Sequence, residues 1–232
     1  MRALSGHAQD LRNGLDENNA EAVFATSTLV AFHAGMSQKF LTGSNAQIPP
    51  LHWFRPYQGI KAVLEAGWEW ISKSSVEPLL QGGVNYLQNP TSPQQQRQQF
   101  GVKELPFDFL LEGLFLEEHD AETIDTYETT VAHLNTIAFS PIVSHILQFP
   151  AAVPRRFVEM IGAQDPRTLA IVGYFFILLK KVEQVWQVWW LQGTIDNEFK
   201  TLMDILPKKW WPKMQWAISV FDAHREMRFV EI

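Results

Sequence analysis

The sequence predicts an all-α fold, a multi-helix globular domain with a hydrophobic pocket. Apolar residues recur every three to four positions along most of its length, the period of one helix face. Two-residue alternation is confined to the tail, Arg228 to Ile232. Capping residues, glycines and prolines fall between the periodic stretches, where helices start and stop.

Residues 20–35, AEAVFATSTLVAFHAG, are apolar almost all round. The pattern predicts a central helix, capped by Asn18 or Asn19 and ended by Gly35. SQKFLTGSNAQIPP then reads as a polar loop. Pro56 starts a second helix, PYQGIKAVLEAGWEWI, with Ile60, Val63, Leu64, Trp68 and Ile71 at helical spacing. Residues 88–99, QNPTSPQQQRQQ, are rich in Pro and Gln and read as a mobile loop. After a short apolar stretch at 106–116, Asp120 is a suitable N-cap for a helix with Ile124, Tyr127, Val131, Leu134 and Ile137 on one face. PIVSHILQF and PRRFVEMIG come next as shorter helices. Asp165-Pro166 opens the longest predicted helix, residues 166–191, which Gly193 can terminate. Segments 194–206 and 208–221 complete the set, punctuated by Pro207 and Pro212. No internal repeat is present, and residues 1–232 read as one helical domain.

Composition narrows the function classes. The 232 residues are 46% hydrophobic and carry a net charge of −6. A large core can form, but no Lys/Arg run exceeds two residues, so direct nucleic-acid binding by this chain is not expected. Cysteine is absent, which removes disulfides, thiolate metal sites and cysteine nucleophiles. The first nineteen residues hold no apolar run of the secretory type. The longest apolar stretch, Leu169 to Leu179, is too short for a membrane span of about 20 residues. No HExxH, GxSxG, P-loop or GxGxxG motif occurs, so the chemistries tied to them lose their main support. No metal site and no cofactor is expected.

The helix ending KKVEQVWQVWWL concentrates three of nine tryptophans in five residues. At about 100° per residue, Phe175, Leu178, Leu179, Val182, Trp186 and Trp189 share one stripe, with Lys180, Gln184 and Gln187 opposite. The stripe reads as core, or as the wall of an aromatic-lined cavity, since large flat rings with few small partners leave clefts.

The segment YFFILLKKVEQVWQVWWLQG resembles the regulatory domain of fungal zinc-cluster transcription factors, in particular the regulators of sterol uptake. Their apolar helix runs into a Trp-Trp-Leu-x-Gly turn, here Trp189 to Gly193, followed by a closing segment, here Leu206-Pro207 to Trp216. ENNAEAVFATSTLVAFHA, WFRPYQGIKAVLEAGWEWI and TYETTVAHLNTI fit the same pattern in order. The resemblance implies an all-helical domain with a pocket for a sterol-like or polyketide-like molecule, self-association as a homodimer, and a cytoplasmic or nuclear location. Trp53, Phe54, Trp68, Phe175, Phe176, Leu179, Trp186 and Trp189 are the candidate ligand-binding residues. Two departures stand out. The six-cysteine DNA-reading cluster is absent, and Thr194 stands where related sequences place another tryptophan. The match begins mid-domain, as expected for a segment of a longer regulator or for a natural short descendant.

A second reading is a stand-alone, cofactor-independent enzyme of fungal secondary metabolism, a cyclase, isomerase or pericyclase that reuses the pocket. Such reactions need shape, desolvation and one or two polar groups. His33, expected to be buried, and His133 are the candidate acid–base groups for it. Glu117-Glu118-His119-Asp120 gathers metal-ligating residue types, but four consecutive side chains diverge, so the run reads as a solvated helix cap. A third reading is a purely structural interaction domain in which the tryptophan stripe is core or dimer surface.

Overall fold

Helices account for every regular element among the described residues, which in this computed structural model are 9–41, 51–80, 93–139, 141–186, 191 and 193–228. Chain contacts group them into two compact units. The first comprises 9–41, 53–80 and 150–152; the second comprises 51–52, 93–139, 141–149, 153–186, 191 and 193–228.

In the first unit a helical turn at residues 9–13 ends at Gly14, whose φ of +93° lies in the left-handed region that glycine adopts without strain. Asp16, rather than Asn18 or Asn19, organises the entry to the first long helix. Its carboxylate accepts the backbone N–H groups of Asn18 and Asn19 at 2.8 and 3.0 Å. The Asn19 amide ties back to Gly14 O and Asp16 N. Helix α1 (Ala20–Leu41) then runs through Gly35, which does not terminate it. Over residues 20–34 only one face of α1 packs. Ala20, Val23, Phe24 and Ala31 are buried while Leu29 is exposed, so the helix is not central. Its Ala, Ser and Thr residues tolerate solvent, and an apolar pattern built on them does not oblige burial.

Helix α2 (Phe54–Ile71) packs on α1 through Ile60, Val63, Leu64 and Ile71. Leu80, from the short helix α3 (Glu77–Leu80), joins the same core. Position 67 rather than 68 faces inward. A Cβ on Gly67 would stand 2.9 Å from Ile71 Cδ1 and 3.1 Å from Leu15 Cδ1, while Trp68 is half-exposed. The Ser75 hydroxyl bonds the Glu21 carboxylate and links the end of α2 to the start of α1.

In the second unit, residues 93–100 form helix α4 (Pro93–Phe100) instead of a loop. Residues 88–92 of that expected loop lie outside the described residues. The glutamines are good helix formers, and Pro93 occupies the one end where proline is tolerated. Gln96 anchors the helix, its amide donating to Ala132 O at 2.8 Å and Thr136 Oγ1 at 2.7 Å. Two short 3₁₀ turns (Asp108–Leu111 and Leu114–Leu116) lead to α5 (Ala121–Phe139). Asp120 caps α5 as its position implies, accepting the Thr123 N–H at 2.7 Å. Helix α6 (Val143–Ala152), of which residues 143–149 belong to this unit, and helix α7 (Arg155–Gly162) come next.

Helix α8 (Pro166–Trp186) is buried on every side from Arg167 to Lys180. Helices α5, α7, α9 (Thr194–Ile205) and α10 (Gln215–Arg228), with a 3₁₀ segment (Lys208–Met214), all contact it. Asp165 caps it at Thr168 N (2.8 Å) and also accepts the Tyr127 hydroxyl (2.8 Å). Gly173 seats the Met214 side chain, whose methyl would lie 2.5 Å from any added Cβ. Lys180, expected on the solvent face, is buried. Its ammonium meets Glu183 at 2.7 Å and Asp196 at 2.9 Å, so α9 supplies the carboxylate that makes burial tolerable. Gly193 turns the chain into α9 at φ +73°. Residues 187–190, the predicted helix end, and 229–232, the alternating tail, lie outside the described residues.

Arg167 is the most demanding buried group. It donates to Leu110 O, to Glu112 O at 3.2 Å and to the Glu117 carboxylate at 2.8 Å. Its guanidinium also lies over the rings of Tyr127 (5.6 Å) and Trp210 (5.2 Å). Replacing it by Met preserves bulk but leaves two carbonyls without their donor. We expect Arg167→Met to lower the stability of the second unit by about 3 kcal/mol, read by urea unfolding.

Burial pushes the phenols of Tyr57 and Tyr174 up to about 12, and that of Tyr127 well above the ordinary range. A raised phenol pKa stabilises the fold fully below the ordinary value of 10 and loses that contribution as pH rises through the folded value. Tyrosinate absorbance should therefore appear together with loss of tertiary circular dichroism above pH 10. A separate titration of these three groups near pH 10 with the fold intact contradicts the packing described.

Candidate ligand-binding site

An apolar groove of about 520 Å³ opens on the first unit. Ligand pockets are typically about 300–1,000 Å³, so its size suits one small molecule. Helix α2 supplies Pro56, Gly59, Ala62, Val63 and Ala66, and α1 supplies Ser27 and Val30. The preceding segment adds Leu11, Gly14 and Leu15.

The sequence makes this groove locally. Positions 56, 59, 62, 63 and 66 recur at helical spacing and share one face of α2. Three of them end at Cβ or earlier, so the helix backbone is thinly covered there and no side chain fills the space. The left-handed turn at Gly14 and the Asp16 cap return the chain so that Leu11 and Leu15 close one edge. Branched aliphatic side chains thus face a flat floor of Gly and Ala. Ser27 contributes the one polar side chain. None of the lining side chains titrates, so the groove is equipped for binding by shape and desolvation rather than for proton transfer.

The residues singled out from the sequence do not line it. Trp53 and Phe54 pack against each other at 4.5 Å at the start of α2, and Phe54 is fully buried. Trp68 is 37% exposed on the same helix. Phe175, Phe176 and Leu179 belong to the second unit and are buried in its core, with Phe175 stacked on Phe149 at 4.4 Å. Trp186 is 65% exposed and Val185 beside it 75%, so the inward stripe ends at Val182. Trp189 lies outside the described residues. The seven described candidates are therefore split between the two units.

His33 is exposed on α1 and not buried as expected, because α1 packs by one face only. His133 is buried within α5 in the second unit. Neither lines the groove. The acidic run before α5 is divided among separate tasks. Glu117 pairs with His119 at 2.8 Å and with Arg167, and Asp120 caps the helix through Thr123, whose backbone N–H holds its carboxyl below the usual range. The lining residues Leu11, Gly14, Leu15, Gly59, Ala62 and Ala66 escaped the reading of the sequence, which sought large aromatic walls. The recoverable signal was the small-residue spacing on α2.

No protein-family model matches this chain, and no solved structure matches it. A Zn(2)-C6 fungal-type transcription factor of Gibberella zeae is 32% identical to it over 238 aligned residues. The alignment covers 94% of the chain and 46% of the relative, so the chain spans about half the length of the protein it matches. The resemblance to fungal zinc-cluster regulators is borne out at that level.

Ala62 and Ala66 are exposed and helical, and Leu is nearly as good a helix former as Ala. The double substitution Ala62→Leu/Ala66→Leu should fill the groove while changing stability by less than about 1 kcal/mol. Thermal unfolding checks this; a large loss would mean that the two positions pack more tightly than their exposure implies.

Proposed function

We propose that this chain, which shares 94% of its length with part of a fungal Zn(2)-C6 transcription factor, is a regulatory segment that holds a lipophilic small molecule in the groove of its first unit. The observation that carries the reading is the groove itself, with its apolar lining and a volume of about 520 Å³. Each methylene transferred from water into such a site contributes about 0.8 kcal/mol, enough for a ring system or acyl chain to bind without ionic contacts. A sterol-like or polyketide-like skeleton suits branched walls over a flat floor. The DNA-reading function belongs elsewhere in such a regulator, since this chain has no cysteine for a zinc cluster. Its role is then to couple ligand occupancy to regulator activity in the nucleus.

The test titrates the purified chain with a panel of sterols, long-chain fatty acids and aromatic polyketides. At least one should bind in the micromolar range, and Ala62→Leu/Ala66→Leu should weaken it by at least roughly tenfold while the fold persists. Failure of every class, or equal binding by the filled-groove variant, overturns the proposal.

A further inference from the structure

The segment Lys208-Lys209-Trp210-Trp211-Pro212-Lys213 carries three of the chain's nineteen Lys and Arg residues in six positions, and Trp216 lies just beyond it. It belongs to the second unit and takes no part in the groove. Its inward side is fixed to the core. Trp210 is buried beneath Arg167, Met214 is fully buried, and Tyr174 donates its hydroxyl to Lys213 O at 2.5 Å. Lys213 Nζ donates to Phe109 O at 3.0 Å and pairs with Glu112 at 3.3 Å.

The outward side is different. Pro207, Lys208, Lys209, Trp211, Pro212, Gln215 and Trp216 are all exposed. Trp211 and Trp216 leave 42% and 47% of their surface in solvent. Lys208 and Lys209 form no ion pair or hydrogen bond among the described residues. In a 3₁₀ helix, positions three apart eclipse, which sets Lys208 beside Trp211 in one row and Lys209 beside Pro212 in the adjacent row. Two unpaired cations and two partly exposed indoles are thus carried on helical backbone, so a partner has side chains rather than backbone to order.

We propose that this edge docks an acidic polypeptide segment, with carboxylates against Lys208 and Lys209 and apolar side chains against Trp211 and Trp216. Magnitudes decide against the other anionic partners. Lipid headgroup recognition by basic clusters uses about four to eight cations, and sequence-reading of DNA draws on about six to ten phosphate contacts. Only two free cations stand here, in a chain of net charge −6. An indole at a membrane interface also offers its N–H to the headgroup layer. The Trp211 N–H is already turned back to Leu206 O at 3.4 Å, so the ring presents a bare π-face, the form in which Trp anchors protein contacts.

The experiment selects binders of the full chain from a random short-peptide library, with phosphatidylserine vesicles and a single-stranded oligonucleotide as parallel arms. Enriched peptides should pair Asp or Glu with Leu, Phe or Trp, and should weaken with added salt. Their affinity should fall roughly tenfold for Lys208→Glu/Lys209→Glu, with the unfolding temperature unchanged, and for Trp211→Ala, with the helical circular dichroism retained. No enrichment, enrichment of neutral or basic peptides, or equal affinity for the variants overturns the proposal. So does vesicle or oligonucleotide binding that outcompetes the peptides at these residues. A failed groove leaves these readouts untouched, because they rest on the second unit alone.

Discussion

The second unit depends on one constraint: a helix buried on every side must have the charges it carries paired. From Arg167 to Lys180, helix α8 has no solvent face. Its rings meet Phe149 of α6, Phe107, Phe109 and Trp216, and Gly173 receives Met214. Its two buried cations impose sharper demands. Arg167 needs two backbone carbonyls and a carboxylate, which brings the 108–117 turns against the N-terminal end of α8. Lys180 needs Glu183 and Asp196, which fixes where α9 begins. The desolvation cost of such cations is comparable to the attraction they gain, so removing one partner costs far more than the intact pair contributes.

The first unit obeys the opposite logic. Its two long helices meet through one modest core, and α2 turns a face of small residues outward. Nothing bulky fills that face, and the turn at Gly14 to Asp16 adds an aliphatic rim. A groove arises because side chains are missing, not because special ones are present. That origin explains why it lacks titratable groups and why its chemistry is that of recognition by shape. The division of labour is therefore clear within each unit: one invests its residues in a packed, polar-locked core, and the other leaves apolar space.

The helical class was legible, because a period of three to four dominates and the caps at Asp120 and Asp165 sit where the pattern breaks. The face of α5 was legible for the same reason, with Tyr127, Val131, Leu134 and Ile137 buried and Ile124, in the first turn, partly so. Ambiguity arose where side-chain size and tertiary partners overrule local pattern. Residues 93–100 looked loop-like by composition, yet Gln96 finds two acceptors on α5 and the helix holds. Lys180 looked exposed until Asp196 arrived from another element. Gly35 looked like a stop, but a glycine inside a helix costs only about 1 kcal/mol. The groove was missed for a related reason. Tryptophan and phenylalanine drew the reading toward a pocket, whereas those rings mostly fill core or meet solvent, and the space lies over Gly59, Ala62 and Ala66.

A lipophilic molecule held in the groove of the first unit would shield the segments that line it. Amide hydrogen exchange of the chain, with and without a saturating sterol or polyketide ligand from the binding panel, tests it at the level of segments. Added protection is expected in residues 11–30 and 56–66, with helix α8 unchanged. Protection centred on α8, or no segmental change despite bound ligand, would contradict it.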